Sequence, residues 1–227
     1  MRFVSLAASV AVAAAAFATS AEAGGSSVAY FGLRGSYVET DGDNTTSASF
    51  EYGQTYKTGF AASAFMGWVL DENFRLELEA GYRNADLDTI HVTRNDFDAS
   101  TEGETFAVGG QAQVGAMMTN LYYDIHALGD ISVLPWVGVG IGGAYVDYSI
   151  DEPTAVFLDA HDVTWAFAYQ VMAGITVPLA DGISGSLGYR YFQTADFTYQ
   201  DDFGLASLNY KTRVTQQSID VGLQFHI

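Results

Sequence analysis

From Asn73 to Arg83 the chain reads NFRLELEAGYR, with charged and apolar side chains alternating for the length of a strand. Arg75, Glu77, Glu79 and Arg83 share one parity, while Phe74, Leu76, Leu78, Ala80 and Tyr82 hold the other. Successive side chains of a strand point to opposite sides, so this period predicts a strand with two unlike faces. Two folds accept such a strand. In a soluble sandwich the charges look out to water, whereas in a membrane barrel they look inward and the apolar face meets lipid.

Period-two runs recur along the chain and predict eight strands. They fall near 29–38, 59–70, 73–83, 113–125, 135–146, 163–177, 185–192 and 218–227. Short joints follow the second, fourth and sixth: DEN at Asp71, HALGD at His126 and LADG at Leu179. Long polar segments follow the others, beginning near Glu39, Asn84, Asp147 and Gln193, and these are read as loops. Acids crowd into them, among them Asp41, Asp43, Asp86, Asp88, Asp96, Asp98, Glu102, Glu104, Asp151, Glu152, Asp159, Asp162, Asp201 and Asp202. Long–short alternation is expected of an even-stranded up-and-down barrel in an outer membrane.

That choice settles the direction of the charges. A basic residue facing lipid at mid-membrane costs about 2–4 kcal/mol. The opposite parity avoids the cost and places Arg34, Arg75, Glu77, Glu79, Arg83, Asp124, Arg190 and Asp220 in one lumen, where the two signs can neutralise each other. On the outward parity Tyr37, Phe60, Tyr82, Tyr145, Trp165 and Tyr191 fall near the loop ends of their strands. Trp68, Phe74, Tyr123 and Phe225 fall near the turn ends. Two such belts match the two interfaces of a bilayer.

The remaining features agree. MRFVSLAASVAVAAAAFATSAEA has one basic residue, a short Ala/Val-rich stretch and a small-residue site, which predicts a signal peptide at 1–23 cleaved after Ala23. The barrel domain is then 24–227. Export without cysteine leaves a large core or a membrane to hold the fold. No later run of about 18 apolar residues exists to form a membrane helix. A net charge of −18 with nine basic residues excludes nucleic acid as a partner.

MTNLYYDI, LPWVGVGIGGAYV, GSLGYRYF and the terminal DVGLQFHI resemble, in order, the eight-stranded outer-membrane barrel and surface-antigen family of proteobacteria, akin to opacity-type and OmpA-like barrels. The likeness spans essentially the mature chain. It implies a barrel in the outer membrane with both termini periplasmic and the loops at the cell surface. Some members of the family are porins, others structural proteins or antigens. The resemblance also implies a C-terminal assembly signal at Asp220, Gly222, Phe225 and Ile227, read by the outer-membrane assembly machinery. Ile227 departs from the aromatic terminus usual there.

Motifs that could carry chemistry are weak. GVGIGG at Gly138 fits G-x-G-x-x-G, but a dinucleotide site needs a helix next and AYVDYSIDEP follows. His161-Asp162 is the one suggestive histidine pair, without a serine to complete it. TDGDN at Thr40 lacks the full ligand series of a calcium loop. Weak binding of divalent cations by the acidic loops would let them bridge to lipopolysaccharide phosphates; a solvated acidic surface is the simpler reading. The expectation is therefore an all-β, eight-stranded antiparallel transmembrane barrel. It is non-enzymatic and without cofactor, sits among outer-membrane lipid and lipopolysaccharide, and acts as a structural, surface-presenting protein. A narrow porin and a soluble exported ligand-binding barrel are the alternatives.

Overall fold

A computed structural model describes residues 29–42, 44–96, 99–126, 132–151, 159–203 and 206–227. The signal peptide and the cleavage site after Ala23 lie outside the described residues, as do Asp43, Asp98 and Glu152. Thirteen strands are present among the described residues: β1 (Ala29–Asp41), β2 (Asn44–Thr46), β3 (Phe50–Tyr56), β4 (Gly59–Val69), β5 (Phe74–Asn95), β6 (Thr105–Ala107), β7 (Gly109–Asp124), β8 (Leu134–Asp151), β9 (Asp159–Ala180), β10 (Ile183–Thr194), β11 (Phe197–Phe203), β12 (Ala206–Thr212) and β13 (Thr215–His226).

Eight of them close a ring. The order β1-β4-β5-β7-β8-β9-β10-β13 returns to β1, every pairing antiparallel. These are the eight strands expected from period two, and the fold is an up-and-down transmembrane barrel. Its outer face is apolar: Leu33, Val139, Ile141, Phe167, Val171 and Val221 are all exposed. The predicted belt residues lie on that face. Phe60 meets Tyr82 with ring centroids 6.3 Å apart, and Tyr145 meets Trp165 at 5.4 Å. At the turn end Phe31 stacks on Phe225 at 5.3 Å and Phe74 meets Tyr123 at 5.2 Å. Tyr37 and Tyr189 turn their hydroxyls to Thr58 (3.2 Å) and Gln217 (2.6 Å), where polar side chains begin. Along β5 the two belts are separated by the stretch from Phe74 to Tyr82. At about 3.4 Å per residue and a tilt of about 40° this rises roughly 20 Å, close to the ~25 Å apolar band of an outer membrane.

The long polar segments are where the sequence reading fails. They are not loops throughout, because β5 and β9 run for 22 residues and β8 for 18, against about 9–11 needed to cross a bilayer. Two hairpins fill the places that the shorter strands vacate. β4 pairs β5 as far as Phe60↔Asn84, and β3 then takes over from Tyr56↔Leu87 to Phe50↔Asn95. Likewise β7 pairs β5 as far as Asp86↔Gln111 and β6 continues at Thr89↔Ala107. β2 joins β3 to β12, β12 pairs β11, and β11 follows along β9, where Ala195 N donates to Phe167 O at 2.7 Å. The barrel thus carries a second storey of β-structure beyond the aromatic belt.

The sequence signal for this storey is hidden by a bulge. On β5 the inward parity runs Arg75, Glu77, Glu79, Arg83, Ala85, Leu87, then changes to Ile90 and Val92. The register shift opposite Thr55/Tyr56 inserts Asp88 as the extra residue. An extra residue flips the parity of everything after it, so a strict period-two reading stops there.

Candidate functional site: the barrel interior

The interior has two layers of opposite chemistry. Between the belts lies a charge network, with all eight predicted lumen residues buried, Glu77 at 0% and Arg190 at 2% exposure. Near the turn end Arg75 grips Asp124 with two bonds, Nε–Oδ2 2.7 Å and Nη2–Oδ1 2.8 Å. In the middle Glu79 accepts from Arg190 Nη1 at 2.7 Å, Arg34 Nη1 at 2.9 Å and Asn120 Nδ2 at 3.0 Å. Arg190 Nε also donates to Asp220 Oδ2 at 2.8 Å, and Ser218 Oγ to Asp220 Oδ1 at 2.8 Å. Glu77 is held by Tyr122 Oη at 3.0 Å and by Arg34 Nη2 at 3.4 Å. Arg83 differs from the other three arginines. It lies over the ring of Phe192 at 4.3 Å and reaches Gln170 Oε1 at 3.4 Å. Among the described residues it has no ion pair.

The network is neutral. Four arginines face four carboxylates, so the chain's net charge of −18 is carried entirely by the remaining residues. Burying two ions costs several kcal/mol each, and only close, fully bonded pairs offset it. The bidentate and doubly bridged contacts here meet that condition.

Space inside is taken by side chains lying across glycines, as an eight-stranded barrel requires. A Cβ at Gly138 would meet Tyr122, and one at Gly174 or Gly188 would meet Trp136. At Gly140 it would overlap Asn120 Oδ1 and press on Gln170 Cγ at 3.0 Å. Gly140→Ala is therefore expected to cost about 1–3 kcal/mol, the usual penalty of overpacking, read as a lower midpoint of urea unfolding in lipid vesicles. GVGIGG is thus a packing surface within a strand.

Beyond Arg83 the lining becomes apolar. Phe192, Met118, Ala116, Val114, Val146 and Ala168 lead up to Phe197, Val214, Tyr52, Leu87, Ile90 and Val92, in one buried cluster. Sequence reasoning placed Val114, Ala116, Met118, Val146, Ala168 and Phe192 on strands without joining them into a core, and assigned Tyr52, Leu87, Ile90, Val92, Phe197 and Val214 to polar loops. Its signal was present in the inward parity of Ala112, Val114, Ala116 and Met118 on β7. Tyr30, Tyr122, Gln170 and Trp136 fall on the inward parity of their strands but, being neutral, were not singled out as members of the lower interior.

The terminal strand places its predicted residues in unlike settings. Asp220 is in the network, Gly222 faces Ser186 and Arg34 across the wall, Phe225 stacks on Phe31, and Ile227 is 70% exposed with its N–H bonded to Ala29 O at 3.0 Å. The histidines stand apart: His91 meets Thr105 at 3.0 Å, His126 meets Asn73 at 3.3 Å and His226 meets Ser184 at 3.2 Å. The side chain of His161 lies outside the described residues, so the His161-Asp162 pair has no geometry to report. Among the described residues no group of three or more His, Cys, Asp or Glu could hold a metal ion. Exposed acids beyond the belt include Glu39, Asp41, Asp86, Asp88, Asp96, Glu102 and Glu104. Lys211 holds the carboxyl of Asp196 below the usual carboxylate range through a 2.8 Å ion pair, but both are well exposed, so the pair contributes little stability.

With this geometry established, comparison with known proteins decides the family. The model of the Surface antigen family matches residues 2–225. The chain belongs to that family. Relatives in Brucella abortus and Brucella suis, themselves uncharacterized, are 30% identical over 140 residues, 50% of this chain and 49% of each relative. The chain thus spans about half the length of the curated relatives it matches. Among solved structures the Surface antigen member is similar to the outer membrane protein OprG from Pseudomonas aeruginosa (TM-score 0.56, 15% identity, covering 89% of this chain and 99% of OprG). It is also similar to the outer membrane protein AlkL (TM-score 0.54, 16% identity, 91% and 94%) and to Neisserial surface protein A (TM-score 0.50, 11% identity, 87% and 96%). At these identities the likeness speaks for the fold alone: the family member shares the barrel of outer-membrane proteins.

Proposed function

We propose that this protein is a non-enzymatic, sealed outer-membrane barrel that holds a rigid acidic β-structure at the cell surface. The observation that carries the reading is the interior. A charge-balanced network fills the membrane-spanning part, and an apolar cluster fills the storey above it. An ion entering from either end meets packed side chains. The upper storey has a core of its own, so the surface it offers is a shaped wall of strands. Its exposed acids give that wall a negative field, suited to contacts with cationic groups and, through divalent ions, with lipopolysaccharide phosphates.

In this reading the turns and both termini are periplasmic, the second storey projects outward, and the terminal strand with Asp220, Gly222, Phe225 and Ile227 is what the assembly machinery engages. Envelope integrity and surface contact are the roles that follow. A narrow porin would require the network and the apolar cluster to open together.

The test is ion conductance of the refolded chain in a planar bilayer, with folding verified by heat-dependent gel mobility. The expected result is a folded barrel without discrete openings. Reproducible openings that change with Glu77→Gln or Arg75→Gln would replace this reading with the porin one.

A further inference from the structure

Arg83 is buried at 4% exposure beneath an apolar layer, and its Nε–H donates to nothing. Its partners are a long bond to a neutral amide and an aromatic face. The imbalance is local. At this level Arg34 pairs with Glu79 and Glu77 and Arg190 with Glu79 and Asp220, while Glu77 takes its shortest bond from Tyr122. Of these three guanidinium groups Arg83 alone has no carboxylate within ion-pair distance. Beside it is a space about the size of a single water molecule or monatomic ion, lined by Ser36, Ser63, Gly81, Glu79, Arg83 and Arg190.

We propose that this space is a binding site for one monovalent, monatomic anion such as chloride. Arg83 and Arg190 supply the charge, while the hydroxyl of Ser63 can turn toward the guest. The repulsive neighbour is Glu79, but its two oxygens are already occupied by Arg190, Arg34 and Asn120. Small residues build the site. A Cβ on Gly81 would come within 3.1 Å of Ser63 Cβ, so a larger residue there would close the space. A buried guanidinium lacking a carboxylate is costly, and an anion at this point offsets the cost where a water would only solvate it.

The test refolds the full chain into lipid nanodiscs in sodium chloride, sodium bromide or sodium gluconate at equal ionic strength, so that access to the closed lumen is not in question. The backbone amide of Gly81 and the Nε–H of Arg190 are followed by nuclear magnetic resonance. Saturable shifts in chloride and bromide, absent in gluconate and lost in Arg83→Gln, are the expected result, with a higher urea midpoint in the halides. Ser63→Val, which removes one donor and leaves the fold's charges untouched, is expected to weaken the halide response severalfold. Identical spectra and midpoints in all three salts would overturn the proposal.

Discussion

Glu79→Ala is expected to be the most damaging single substitution in the barrel, lowering stability by about 3–5 kcal/mol. The carboxylate is the hub of the interior. Both its oxygens accept charged hydrogen bonds, from Arg190 at 2.7 Å and Arg34 at 2.9 Å. Removing it leaves two guanidinium groups buried with part of their compensation gone, so the desolvation that those pairs were offsetting becomes a net cost. Glu79→Gln keeps the shape and one acceptor and is expected to cost less. Urea unfolding in vesicles, followed by heat-dependent gel mobility, measures both. Equal midpoints for Glu79→Ala and the parent chain would mean that the network is hydrated and contributes little.

The second large effect concerns the outer face. Ile141 is 59% exposed on β8, between Val137 near the turn end and Tyr145 in the far belt. Ile141→Arg is expected to cost about 2–4 kcal/mol, because a guanidinium there meets hydrocarbon at the membrane midplane. Thr93→Arg, on an exposed position of the second storey, is expected to fall within about 0.5 kcal/mol of the parent. The contrast is the point of the pair. Both sites are exposed by geometry, and only lipid distinguishes them. A soluble barrel would tolerate arginine at Ile141 as readily as at Thr93.

Much of the fold was legible because the charges are few and obey one parity. Arg75, Glu77 and Glu79 mark the inward face of β5 without ambiguity, and Arg190 and Asp220 do the same for β10 and β13. The cost of placing a charge in lipid turns that alternation into a direction, and direction on eight segments makes a barrel. Where inward residues were neutral the parity still gave their face, but nothing marked them as members of the network. Tyr30, Tyr122 and Gln170 complete the network from the inward parity of their strands, and only the contacts across the lumen reveal that role. The second storey escaped for another reason. Asp86 and Asp88 read as loop because a bulge at Asp88 shifts the period, so that Leu87 and Ile90, both inward, are three residues apart.

By itself, then, the sequence determined the number of barrel-closing strands, the sense of each membrane-spanning strand, the two aromatic belts and the presence of an inward set of charges. All of these follow from local alternation and from the energy of a charge in hydrocarbon. Only the tertiary structure decided which charges meet, that Arg83 is left without a carboxylate, and that the polar segments fold back as hairpins over an apolar core. Those outcomes depend on register between strands distant in sequence, such as Arg190 reaching Glu79 across the lumen, and period two carries no information about register.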